Sequence, residues 1–252
     1  MLKLEALYAK DPDNFDNVLS SSKEMAEGMA NMKEKFLDLT FPLVSYFNGV
    51  RFNESIAKII GEKSRVQDLI LSYFCVSTDL CHNGQAVHTK GICWKYVRAS
   101  MSLQGYLPPV SEGGSLLLDG GYTNLVPGDV MSEHMGAETV IAVDVSPEDR
   151  IEYFEYGTSL SGFWLLFNSW NPFSKTVRVP SMGELSQKLI WVSSMQHLST
   201  VVKKHVDLFI VPPVEHYGTL EYEKFEEIFE KAYKDAKPRV DAFIEKRPWL
   251  VS

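Results

Sequence analysis

The sequence predicts an α/β fold in which helices pack on a largely parallel central sheet, followed by a mainly helical C-terminal extension. Short apolar runs with strand character alternate with stretches of helical periodicity. The 252 residues are 45% hydrophobic and 23% charged, as in an ordinary globular protein. The pattern changes after Ser146, so we expect the α/β part at residues 1–146 and the extension, packed on it, at residues 147–252.

Helical patterns open the chain. The stretch LEALYAK, residues 4–10, is helical, and the turn-forming sequence at residues 11–14, DPDN, closes that helix. Residues 15–39 carry apolar side chains on one helical face, so a second helix is expected there. Several of those side chains are methionines, which usually pack in a core.

Apolar runs predict three strands in the α/β part, at residues 69–76, 115–118 and 139–145. Helical periodicity marks residues 91–103, between the first two runs. A short helix is expected at residues 127–136, because a glycine at its end is a common helix stop. Strands that alternate with helices in this way favour parallel pairing.

The extension begins with an aromatic-rich segment, residues 152–173. Its part from Phe163 to Phe173 either packs the extension onto the core, the more common role, or forms an interfacial patch that meets lipid. Helices are then expected at residues 184–205 and 221–237, with a short strand at 208–211 between them.

Charge and cysteine content exclude several classes of function. The net charge of −8 and the lack of a basic stripe argue against a nucleic-acid partner. The three cysteines have no zinc-site spacing and their number is odd, so we expect reduced thiols, no metal site and no cofactor. No apolar run is long enough for a signal peptide or a membrane span.

The most informative stretch is SLLLDGGYTN, residues 115–124, where a predicted strand runs into Asp119 and two glycines. A strand end is where open α/β sheets place their chemistry, and the glycines leave room for an approaching group. Asp119 could therefore be a general base. A type I′ turn is the more common meaning of Asp-Gly alone, and a metal ligand is the third alternative, although no second ligand lies at suitable spacing.

Other polar residues near these strands receive structural roles. Ser100 and Ser102 are expected to lie near Asp119 as structural hydroxyls. Asp79 follows a predicted strand and is expected to be a turn or capping residue. Asp144 also lies near a strand end, and nothing in its context assigns it a role.

A longer set of motifs resembles one family. The segments are YVRASMSL (96–103), GYLPP (105–109), LDGGY (118–122) and GAETVIAVDV (136–145), supported by LDLTFP (37–42), FN (52–53), STD (77–79), VHT (87–89), SGFWLL (161–166) and WNP (170–172). Together they resemble the patatin-like phospholipases, and most of all the neuropathy target esterase branch of lysophospholipases. The resemblance extends over nearly the whole chain.

That resemblance implies a three-layer patatin-like α/β fold and a Ser–Asp dyad that hydrolyses acyl esters of phospholipids or lysophospholipids. Asp119 matches the dyad aspartate, and Gly120 and Gly121 complete its motif. Asn124 belongs to the following loop, where the relatives tend to read Asn-Asn-Leu-Pro and this chain reads NLVP. The resemblance also implies a membrane-surface association on the cytoplasmic side of the endoplasmic reticulum or other internal membranes.

The family's nucleophile motif is not found in these residues. No Gly-x-Ser-x-Gly occurs, and the nearest string, GTSLSG at residues 157–162, departs from it and follows Asp119 instead of preceding it, so Ser159 fits poorly. EALYA at residues 5–9 resembles the end of the family's nucleophile helix. We therefore expect a chain that starts just past its nucleophile and oxyanion loop and is inactive alone. The alternative is a non-catalytic relative that binds lipid or a protein partner.

Overall fold

The computed structural model describes residues 2–30, 38–41, 43–146, 153–165, 179–180, 182–215, 217 and 222–250. Two helices open the chain, α1 (Leu2–Lys10) and α2 (Phe15–Ala30). The predicted turn separates them, and the Val18 N–H begins α2 by donating to the Asn14 carbonyl oxygen at 3.2 Å. The predicted continuation of α2 over residues 31–37 lies outside the described residues.

Helix α3 (Val50–Ile60) was not predicted from the sequence. It ends where Gly61 adopts φ 107°, and its buried Ile56 and Ile60 lie on one face. These two side chains pack with α1 and with helix α4 (Cys93–Ala99), which occupies the middle of the predicted 91–103 helix. The core of the α/β part is therefore formed by three helices together with the chain around Tyr73 and Cys75.

A four-stranded sheet has the order β2-β1-β4-β3, with β1 (Cys75–Asp79), β2 (Gly84–His88), β3 (Val110–Glu112) and β4 (Ser115–Asp119). All three of its strand pairs are antiparallel, so the predicted largely parallel sheet is wrong for this part. Short connections explain two of the pairs, β1–β2 and β3–β4, because a parallel pair needs a long crossover. The β1–β4 pair joins strands that are distant in sequence. Gly113 and Gly114, both with positive φ, form a two-residue hairpin between β3 and β4.

The predicted strand at residues 69–76 is displaced toward the C-terminus, since β1 begins at Cys75. Leu69 instead ends a 3₁₀ turn, Val66–Asp68. The Leu71 N–H donates to the Ala9 carbonyl oxygen of α1 at 3.0 Å. An apolar run before β1 thus packs across a helix end without joining the sheet.

Parallel pairing occurs in a second, two-stranded sheet of β5 (Ile141–Val143) and β6 (Leu208–Ile210). Helix α5 (Met182–His205) directly precedes β6 and packs Leu198 with Ala142 of β5 and with Val126. Before β5, the predicted short helix contains a π-helical turn, Val130–His134. The architecture is therefore mixed α/β, as predicted. Among the described residues, parallel pairing is limited to these two strands and one isolated bridge between Ser45 and Gly105.

The chain continues into α6 (Phe225–Glu245), which follows a 3₁₀ turn, Tyr222–Lys224, and precedes another, Pro248–Leu250. The predicted helix stopped at residue 237, but α6 continues through Pro238. Ion pairs at i,i+4 spacing flank the proline: Lys237–Asp241 at 2.6 Å and Arg239–Asp235 at 3.0 Å. The division at residue 146 stays a prediction.

Candidate active site

Asp119 is the last residue of β4 and lies opposite Ser77 of β1. Its N–H donates to the Ser102 carbonyl oxygen at 3.2 Å, and its own carbonyl oxygen accepts the Thr78 hydroxyl at 2.8 Å. A 3₁₀ turn, Gly120–Tyr122, follows immediately. The backbone of Asp119 is thus held on both sides, which fixes the direction in which its side chain leaves the sheet.

The half-buried carboxylate of Asp119 makes one hydrogen bond, in which Oδ1 accepts the Gly121 N–H at 2.8 Å. Its other oxygen, Oδ2, has no hydrogen-bond partner among the described residues. Burial raises the pKa of Asp119 from 3.8 to about 6, against the opposing effect of the Gly121 N–H. A carboxylate with a pKa in this range is ionised at neutral pH and still a competent proton acceptor.

Gly120 is required by close approach rather than by backbone conformation, and a Cβ on Gly121 would make a tight contact. A Cβ on Gly120 would lie 2.1 Å from the Val76 carbonyl oxygen of β1, and one on Gly121 would lie 3.1 Å from the Asp119 Oδ1. Neither glycine has positive φ, and Asp119 has φ −50° and ψ 132°. A type I′ turn needs positive φ at both central residues, so the turn interpretation of Asp-Gly is wrong.

Asn124 anchors the loop that follows. It is buried, and its Nδ2 donates to Asp129 Oδ1 at 2.8 Å and to Gln85 Oε1 of β2 at 3.1 Å. Its N–H donates to the Gly120 carbonyl oxygen at 2.9 Å. A single asparagine therefore ties the Asp-Gly-Gly turn to the sheet and to the π-helical turn.

Asp119, Gly120 and Gly121 line a cavity of about 840 Å³. Its walls come from α1, from α3, from the chain before β1, and from β5 with the residues after it. Most lining side chains are apolar, including Phe47, Phe52 and Met131. A mostly apolar cavity with a few polar groups is the usual form of a small-molecule site.

A buried arginine, Arg98 of α4, bonds to residues around the Asp119 backbone and was not predicted as part of the site. Its Nε donates to Asn53 Oδ1 at 2.8 Å, its Nη2 to the Pro108 carbonyl oxygen at 3.2 Å, and its Nη1 to the Ser102 hydroxyl. Burial lowers the pKa of Arg98 to about 10. Because the Ser102 carbonyl accepts the Asp119 N–H, Arg98 helps to fix β4. The available signal was an arginine directly flanked by the apolar residues Val97 and Ala99.

The other polar residues have the expected structural roles. The Ser100 hydroxyl donates to the Val76 carbonyl oxygen. The Asp79 carboxylate accepts the Cys81 N–H at 2.9 Å in the β1–β2 turn, and hydrogen bonds, first that of Ser115, hold the pKa of Asp79 well below its usual range. Asp144 Oδ1 accepts the Ser146 N–H at 2.9 Å.

Ser159 is exposed and does not line the cavity. No hydroxyl among the described residues hydrogen-bonds to the Asp119 carboxylate. Within the same part of the chain, no three His, Cys, Asp or Glu side chains are grouped to hold a metal ion. None of the helices described is both long and apolar enough to cross a bilayer. Residues 166–173 of the aromatic segment lie outside the described residues.

Known proteins resemble the chain over most of its length, although no protein-family profile matches it. It is 40% identical over 241 residues to patatin-like phospholipase domain-containing protein 7 of Mus musculus, which is 95% of this chain and 18% of that protein. It is 42% identical over 231 residues to lysophospholipase NTE1 of Debaryomyces hansenii, 91% of this chain and 15% of that protein. It is 40% identical over 234 residues to patatin-like phospholipase domain-containing protein 6 of Homo sapiens, which is 92% of this chain and 17% of that protein. The chain thus spans less than a fifth of these relatives.

Proposed function

We propose that this chain, which belongs to the patatin-like phospholipase family on its neuropathy target esterase branch, carries the general base of a serine esterase. The observation that carries the proposal is the Asp119 carboxylate, which lines an apolar cavity with one oxygen unpartnered among the described residues and a pKa raised to about 6. The names of the relatives support phospholipid or lysophospholipid acyl esters as the substrates.

The proposed chemistry is a Ser–Asp dyad. Asp119 takes the proton of a serine hydroxyl as the serine oxygen attacks the ester carbonyl carbon, and then gives that proton to the departing alcohol oxygen. Water attacks the acyl-serine in the second step. Asp119 takes one water proton and returns it to the serine oxygen as the fatty acid leaves. An Asp with a pKa of about 6 suits both directions of transfer.

The serine and the oxyanion donors are proposed to come from residues outside these 252. No Gly-x-Ser-x-Gly occurs in the sequence, and no hydroxyl among the described residues hydrogen-bonds to the Asp119 carboxylate. An aspartate without its nucleophile cannot form the acyl intermediate, so this chain alone is expected to be inactive. In the full-length protein we place the site at the cytoplasmic face of an internal membrane, as the resemblance implies.

The test compares three proteins in lysophospholipid hydrolysis: the 252-residue chain, a version extended by the in-frame coding sequence upstream of Met1, and the extended version with Asp119→Asn. Activity and serine-directed fluorophosphonate labelling are expected only in the extended protein with Asp119 intact. Asp144→Asn, another cavity-lining carboxylate near a strand end, is the matched control and should retain activity. Full activity of Asp119→Asn would refute the proposal.

A second candidate is a non-catalytic relative that binds lipid or a protein partner. The absence of a nucleophile motif favours it, as does the exposed Phe163, which lies beside the stacked pair Phe154–Trp164. This candidate predicts liposome binding that falls with Trp164→Ala and no fluorophosphonate labelling. Labelling of any serine in the 252-residue chain would exclude it.

A further inference from the structure

A loop of residues 39–41 and 43–47, here called the apolar loop, presents large hydrophobic side chains to solvent. Phe41 is 82% exposed, Leu43 85% and Val44 68%. No charged residue occurs between Asp38 and Arg51. Isolated exposed apolar side chains are normal on a protein surface, but several that are contiguous mark a contact site.

The backbone of the apolar loop holds these side chains outward. The Thr40 N–H donates to the Tyr46 carbonyl oxygen at 2.9 Å, and the Leu43 N–H donates to the Phe41 carbonyl oxygen at 2.7 Å. At the base, the Tyr46 N–H donates to the Gly105 carbonyl oxygen at 2.7 Å. Backbone polar groups that are satisfied internally can leave water at a lower free-energy cost.

The base of the apolar loop is continuous with the cavity that contains Asp119. Asp38, Phe47 and Arg51 all line that cavity. Tyr106 also lines it and packs edge-on against the exposed Tyr46, with ring centroids 6.4 Å apart. A group that covered the apolar loop would therefore lie at the rim of the proposed active site.

We propose that the apolar loop inserts into the surface of a lipid bilayer and places the cavity against it. The order of side chains matches the layers of a membrane: Phe41, Leu43 and Val44 at the tip for the acyl region, Tyr46 for the headgroup level, and exposed Arg51 for the lipid phosphates. Continuity with the cavity favours lipid over a protein partner, because a phospholipid could pass from the bilayer into the cavity. The inference rests on the proposed function only in taking the substrate to be a lipid.

The experiment measures binding of the 252-residue chain to phosphatidylcholine vesicles by co-sedimentation. Each large apolar side chain withdrawn from water contributes about 10-fold or more to a partition coefficient. Phe41→Ser with Leu43→Ser is therefore expected to weaken binding about 100-fold. Leu189→Ser on α5, where the leucine is 72% exposed, is the matched control and should bind like the wild type. If the double variant fails to fold, Leu43→Ser alone should weaken binding about 10-fold.

Three outcomes would overturn the inference. They are no vesicle binding by the wild type, equal binding by the wild type and the double variant, and a self-association in gel filtration that the double variant abolishes. The last outcome would make the apolar loop a contact between copies of this chain. In the version extended upstream of Met1, Asp119→Asn should lose hydrolysis and still bind vesicles, whereas Phe41→Ser with Leu43→Ser should lose vesicle binding, so failure of the proposed function and failure of this inference can be told apart.

Discussion

Replacing Asp119 with asparagine should stabilise the folded chain at neutral and alkaline pH. A pKa raised from 3.8 to about 6 means that the folded state disfavours the ionised carboxylate by about 3 kcal/mol. Because Asp119 is only half-buried, we expect Asp119→Asn to raise the free energy of unfolding by about 1–3 kcal/mol. Asn is similar in shape, is neutral, and keeps an oxygen that can accept the Gly121 N–H. A residue proposed to be catalytic thus lowers the stability of the protein that holds it.

The pH dependence gives this prediction an internal control. The folded state binds the Asp119 proton more tightly than the unfolded state, so wild-type stability falls as the pH rises from about 4 through about 6 and is then level. Urea denaturation followed by circular dichroism should show Asp119→Asn more stable than the wild type at pH 8 and equal to it below pH 4. A variant that is less stable at pH 8, or that shows the same difference at both pH values, would refute the reasoning.

Three further predictions concern stability. Gly120→Ala should lower the free energy of unfolding in urea by about 3 kcal/mol or more, because its Cβ would overlap a backbone carbonyl. The control Gly162→Ala, with no described atom within 4 Å of its Cβ, should leave that free energy nearly unchanged. Arg98→Met should lower the free energy of unfolding by about 2–4 kcal/mol, because three buried or half-buried acceptors lose their donor. If the free energy of unfolding falls by less than about 0.5 kcal/mol, these hydrogen bonds do not anchor β4. Burial lowers the pKa of His88 below 6.5, so wild-type stability should decline as the pH falls through that value. His88→Gln should lessen this decline in melting temperature between pH 7 and pH 5, and an equal decline in both proteins would contradict it.

Elements with a strong local signal were predicted well. Helix α1 and the turn after it, strand β4 and helix α5 match their predicted positions closely. Each has an uninterrupted apolar run, a helical period or turn-forming residues. The predicted end of this helix at residue 237 is wrong, because α6 continues through Pro238 in spite of the penalty for a proline inside a helix.

Strands β2 and β3 were missed for the opposite reason. Both are only partly buried, and GQAVH and VSE carry no apolar run. The main sheet was predicted to be largely parallel but is antiparallel. The β1–β4 pairing depends on contacts between strands distant in sequence, which a local pattern does not reveal. The pair Gly113-Gly114 is the local sequence signal for the hairpin between β3 and β4.

The sequence by itself determined the family and singled out Asp119, because a long run of matched motifs surrounds one carboxylate at a strand end. It could not explain why glycine follows that carboxylate. The tertiary structure decided this: β1 brings the Val76 carbonyl so close to Gly120 that no Cβ fits. The raised pKa, the cavity and the support from Arg98 likewise arise from segments far apart in the chain. Residue types are read locally, whereas burial and close approach exist only once those segments have packed.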